Sequence, residues 1–94
     1  MPSFQEKIPV VESTQAAREL EEGSVLVVDC KQSHYRLLNG SGSFLWKQIN
    51  GELSVNQLAT RLSEEFEIDQ ETALRDTEAF LMEMEKRSIV SWQK

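Results

Sequence analysis

Cys30 and His34, the only cysteine and the only histidine in this 94-residue chain, are the two side chains with the chemistry of a nucleophile and its base. A catalytic thiolate needs a third group to orient its base, and donors for the developing oxyanion. Neither has a candidate here. A zinc site wants three or four Cys, His or carboxylate ligands at close spacing, and one of each four residues apart is not that set. The pair reads as a strand-end thiol and a histidine beside a turn. Asn39-Gly40-Ser41-Gly42 precedes a helical pattern, as phosphate cradles do, but lacks the Lys-Ser ending and wider glycine spacing of nucleotide loops. The carboxylates Glu64, Glu65, Glu67, Asp69 and Glu71 lack the alternating ligands and central glycine of a calcium loop, and read as a solvated acidic surface. These patterns predict no catalytic residue, no metal ligand and no cofactor.

Charge narrows the partners. The net charge of -6 disfavours nucleic acid, whose affinity comes mainly from Lys and Arg neutralising phosphates, and disfavours an anionic membrane surface. No apolar run approaches the roughly 20 residues of a membrane span. The first residues lack a basic segment followed by an apolar one, so no signal peptide is expected. A lone cysteine fits a reducing compartment, with the cytoplasm as the expectation.

The elements divide by period. Residues 1–12 carry Pro2 and Pro9 around Ile8, Val10 and Val11, and read as a leading arm or an edge. Residues 13–23 stay open. Propensity favours a helix capped by Ser13 or Thr14, but Ala16, Ala17 and Leu20 make a weak apolar face, and a strand fits equally well. Residues 24–29, Ser-Val-Leu-Val-Val-Asp, are the clearest strand, apolar on both faces and so expected to be central. Four polar residues, 30–33, lead to a second strand at His34–Leu38, with Tyr35 and Leu37 on one side and Arg36 and Leu38 on the other. Asn39–Gly42 is turn chemistry, with Ser41 or Ser43 as cap of a helix over 43–50. Trp46 in that helix is expected to be core.

Ser54 and Gln57 form a capping box before Val55, Leu58, Ala59, Leu62 and Phe66, a helical apolar stripe. Asp69 caps a third helix running to Arg87, with Ala73, Leu74, Thr77, Phe80, Leu81 and Met84 inward. Ile89 and Val90 close the core, and 91–94 read as a tail. Two helices joined by a short turn raise DNA binding. Charge decides against it: residues 69–87 hold six acids and three bases, which a phosphate backbone repels. The remaining candidate is a groove between the strand at 34–38 and the third helix, because an edge strand can accept an extended peptide as a further strand.

The ordered set Val25–Asp29, Tyr35-Arg36-Leu37-Leu38-Asn39, Gly42, Trp46, Ile49, Gly51, then Val55, Leu58, Ala59, Leu62 and Phe66, then Asp76, Phe80, Leu81 and Met84, and finally Ile89-Val90, resembles the PqqD-like family. These are RiPP recognition elements, acting in the biosynthesis of ribosomally made, post-translationally modified peptides. The resemblance covers about residues 24–90. It implies an α+β fold, winged helix-turn-helix-like, with three N-terminal antiparallel strands before three helices, in one domain over 1–94. It favours a strand over 14–20. It implies no catalysis, and a precursor leader peptide bound antiparallel to the third strand. The implied site is His34, Tyr35, Arg36, Leu37 and Leu38 with Ala73, Asp76, Thr77, Phe80 and Met84. The expected partners are that peptide and a leader peptidase or other modifying enzyme, most like lasso-peptide systems. The alternatives are the partner of a radical-SAM enzyme and, less favoured by charge, a winged helix-turn-helix DNA-binding regulator. Ser88, where glycine is common, and Thr77, where an aliphatic is common, depart from the pattern.

Overall fold

The computed structural model describes residues 4–38 and 40–93. A short 3-10 turn, Phe4–Glu6, leads to β1 (Pro9–Val11), β2 (Gln15–Glu19), β3 (Val25–Asp29) and β4 (His34–Leu38). Three helices follow, α1 (Gly40–Gln48), α2 (Val55–Phe66) and α3 (Gln70–Lys86), and the chain closes with β5 (Val90–Trp92). This is the expected α+β order. The main sheet is antiparallel, β2-β3-β4, with β3 central as its two-sided apolar run requires.

β2 settles the open stretch as a strand. It buries almost nothing, yet all five of its residues pair with β3, from Gln15↔Asp29 to Glu19↔Val25. Ladder hydrogen bonds here outweigh a helix preference of a few tenths of a kcal/mol per residue. The expected tail is corrected. Val90–Trp92 forms a second, two-stranded sheet with β1, in register Pro9↔Trp92 to Val11↔Val90. Trp92 anchors it: its ring meets Phe4 edge-on at 5.2 Å and its Nε1 donates to Glu85 at 2.7 Å. Of that expected tail, Lys94 lies outside the described residues, as do Met1, Pro2 and Ser3 of the leading arm.

The helices follow their caps. Ser54 Oγ accepts from Gln57 N at 3.2 Å while Gln57 Oε1 accepts from Ser54 N at 2.8 Å, the expected capping box. Glu67, in the left-handed region at φ 54°, ends α2, and Asp69 starts α3 by accepting from Thr72 N. Their packed faces supply Leu58, Ala59, Leu62, Ala73, Leu81 and Met84 to one core with Val25, Val27 and Leu45. Trp46 differs from expectation. It is half-buried on the rim of that core, beside Ala17, Val25 and Lys47.

α1 also starts earlier than the pattern suggested. Gly40, at φ +53°, and Gly42 belong to the helix rather than to a preceding turn, and the expected turn residue Asn39 lies outside the described residues. Ser43 is not a cap. Its buried hydroxyl donates to Leu38 O at 2.6 Å and accepts from Val25 N at 3.1 Å, so it bridges the last pair of the β3–β4 ladder. Ser43→Ala leaves both buried groups without that bridge. It should lower unfolding free energy by about 1–3 kcal/mol in urea denaturation, and an unchanged midpoint would contradict the bridge.

Candidate functional site

The hydrogen-bond parity of the main sheet decides which backbone groups are free. Cys30 N donates to Thr14 O and Leu20 N donates to Ser24 O, so the even-numbered residues of β3 and its flanks face β2. Backbone groups alternate sides along a strand, so Val25, Val27 and Asp29 face β4. Their partners there are Leu38, Arg36 and His34. Ser33 N donating to Asp29 O, and Ser43 bridging Val25 and Leu38, fit the same parity. Tyr35 and Leu37 therefore direct their N–H and C=O groups away from β3, along an edge that no other strand of the sheet covers.

Side chains of β4 divide as the sequence suggested. Tyr35 and Leu37 stand on the outer face, 71% and 58% exposed, while Leu38 is buried and Arg36 half-buried on the inner face. Asp29 holds the hairpin that presents this strand. Its Oδ1 accepts from Lys31 N at 2.9 Å and Gln32 N at 3.0 Å. The Gln15 side-chain amide and then the Gln32 N–H hold its carboxyl below the usual carboxylate range.

α3 supplies the facing wall. Asp76, Phe80, Glu83 and Arg87 are spaced 4, 3 and 4, a stripe on one flank of the helix. Phe80 leans on α1, where a Cβ on Gly42 would sit 3.4 Å from Phe80 Cε1 and 3.8 Å from Leu38 Cβ. Glu83 Oε1 reaches across to β4, accepting from Arg36 Nη2 at 3.2 Å, and also accepts from Arg87 Nε at 2.7 Å. Beyond that bridge lies a small pocket lined by the buried Val27 and Ile89 and by polar groups that include His34, Arg36 and Arg87.

The expected residues thus separate. His34, Tyr35, Arg36 and Leu37 stand at the accessible strand, with Asp76 exposed and Phe80 half-buried on the helix. Leu38, Ala73, Thr77 and Met84 are buried and back the wall from within the core. Thr77 is fully buried, and its hydroxyl has no hydrogen-bond partner among the described residues. Glu83 and Arg87 were missed. The sequence signal for them is the 76, 80, 83, 87 spacing beside the inner stripe. Cys30 is exposed at the end of the strand. Among the described residues no group of three His, Cys, Asp or Glu side chains is placed to hold a metal, and no helix is long and apolar enough to cross a membrane.

The model of the family described as coenzyme PQQ synthesis protein D (PqqD) matches residues 24–90. The chain belongs to the PqqD family. Two solved structures share its fold. "TbiB1 in Complex with the TbiA(beta) Leader Peptide" superposes with a TM-score of 0.80 at 16% identity, covering 87% of this chain and 94% of that one. "Lasso peptide synthetase B1 complexed with the leader peptide" gives a TM-score of 0.78 at 17% identity, covering 88% and 96%. No curated protein matched. In this PqqD-family chain Ser88 has φ 61°, in the left-handed region where only glycine is free of Cβ strain.

The Arg36–Glu83–Arg87 bridge makes the wall sensitive to acid. The Arg87 hydrogen bond and charge, then Arg36, hold the Glu83 carboxyl below its usual 4.5. A lowered acid contributes stability above its unfolded value and loses it as pH falls through the folded one. The difference in urea midpoint between wild type and Glu83→Gln should therefore be largest near neutral pH and shrink below about pH 4. A difference independent of pH would contradict the pairing.

Proposed function

We propose that this chain binds the leader segment of a ribosomally synthesised precursor peptide as a fourth strand on β4. The leader runs antiparallel, in the cleft against α3. The observation that carries this is the pair of residues, Tyr35 and Leu37, whose main-chain groups face outward beside a helix wall. An extended peptide there gains up to four main-chain hydrogen bonds and places alternate side chains toward Phe80 and Glu83. The two structural neighbours, both complexes with leader peptides, support the reading.

Binding rather than catalysis is the mechanism. A disordered leader loses chain entropy on docking, and ladder hydrogen bonds and buried anchors offset that cost. The rest of the precursor stays free for a leader peptidase or other modifying enzyme of lasso-peptide type, in the cytoplasm. The protein acts by raising the effective concentration of substrate at that enzyme. The family's description favours one second reading, in which the enzyme partner belongs to a cofactor pathway of the radical-SAM kind. The peptide-binding step is the same in both.

Proline substitution separates edge from ladder. Leu37→Pro removes an outward N–H, a change that an edge strand tolerates. The variant should keep its circular dichroism spectrum and lose at least about tenfold in affinity for labelled leader from the adjacent precursor gene, read by fluorescence anisotropy. Leu38→Pro removes an N–H from the buried ladder side and should unfold the domain. A scrambled leader and a duplex DNA should not bind. Full affinity in a folded Leu37→Pro variant would sink the strand-addition reading.

A further inference from the structure

The pocket at the His34 end of the cleft has a donor chemistry that the strand-addition reading does not use. Arg36 and Arg87 present ten N–H donors between them by their chemistry. Glu83 Oε1 takes one bond from each, through Arg36 Nη2 and Arg87 Nε. No other partner engages either guanidinium among the described residues, so Arg36 Nη1 and both Arg87 Nη atoms remain available. The two side chains are 32% and 51% exposed, close enough to solvent to receive a ligand and sheltered enough to hold one.

Of the acceptors lining the pocket, the buried Gln15 Oε1 has no hydrogen-bond partner among the described residues. Asp29 lines the same pocket, but Lys31 N and Gln32 N already donate to its Oδ1. The formal charges of Arg36, Arg87, Glu83 and Asp29 cancel, so the bias comes from donor count rather than net charge. A hydroxyl or amide side chain would satisfy one or two of these donors. A carboxylate matches a guanidinium fork with two parallel charge-assisted bonds. We infer that this pocket is a subsite for an acidic side chain of the bound peptide, with Arg36 and Arg87 as its specificity-determining residues.

The inference rests on the strand-addition reading, and that reading fixes the position of the acid. Peptide residues opposite Leu38, Arg36 and His34 turn their side chains to the inner face, like those three. The one opposite Leu38 meets the Phe80 ring and should be apolar. The acid belongs two or four residues further along the peptide, opposite Arg36 or His34. A chain of net charge -6 would otherwise repel an acidic peptide, so a local donor cluster is what admits one.

The test is a charge-swap titration by fluorescence anisotropy. Labelled leader from the adjacent precursor gene, and variants with each Asp or Glu changed to Ala or Lys, are titrated with wild type, Arg87→Gln and Arg87→Glu. Melting curves establish that the variants fold. One acidic position should account for the effect. Its Ala variant should bind wild type roughly tenfold more weakly, and Arg87→Glu should bind wild-type leader as weakly or more so. The Lys variant at that position should restore Arg87→Glu to within about threefold of wild type. Wild-type protein that binds leader equally well whichever acid is removed overturns the subsite and leaves strand addition standing. Weakening by Arg87→Glu that no Lys variant rescues also overturns it. Wild-type protein that binds no leader overturns both.

Discussion

Every main-chain N–H and C=O in a sheet must find a partner or face water, and that requirement organises this molecule. β3 satisfies its own groups on both sides, with β2 on one and β4 on the other. The pairing leaves β4 with alternate residues committed inward and Tyr35 and Leu37 facing out. The remaining elements hold that edge at a fixed distance from a helix. Ser43 ties the end of the ladder to α1, Asp29 closes the hairpin, and Arg36 spans to Glu83 on α3. An edge strand is a hazard when it is long and flat. Here it is five residues long, half-guarded by Arg36, and set beside the flank of α3.

The packing explains why the wall is rigid. α2 and α3 share a dry core through Leu58, Leu62, Leu81 and Met84, so the exposed flank of α3 cannot rotate without opening that core. Phe80 is wedged against Gly42, which fixes the separation between α3 and the start of α1. β1 and β5 close the opposite end, where Trp92 gathers Phe4, Lys7 and Glu85. The proposed strand addition depends on this arrangement, in which only the incoming peptide has to become ordered.

Much of this was legible in local pattern. The unbroken aliphatic run Val25-Leu26-Val27-Val28, the capping box at Ser54 and the Asp69 cap are short-range signals, and each marks the element it should. β2 was not legible from its residues, because Ala16, Ala17 and Glu19 are strand-forming only through their pairing with β3. β5 was hidden for the same reason: its partner β1 lies about eighty residues earlier in the chain. At the site, the strand half was readable and the helix half was shifted. Ala73, Thr77 and Met84 share a stripe that turns into the core, and the wall is the neighbouring stripe through Phe80, Glu83 and Arg87. An apolar inner face announces itself by spacing. A flank of mixed polarity does so only once the strand opposite is in place.

Amide hydrogen exchange, read residue by residue by NMR with and without leader peptide, tests the central claim most directly. The amides of Tyr35 and Leu37 should exchange quickly in the free protein and become protected on binding. Those of Arg36 and Leu38, already committed to β3, should be slow in both states. Protection that instead appears along β2, or a Tyr35 and Leu37 pair that leader leaves unprotected at saturation, would contradict it.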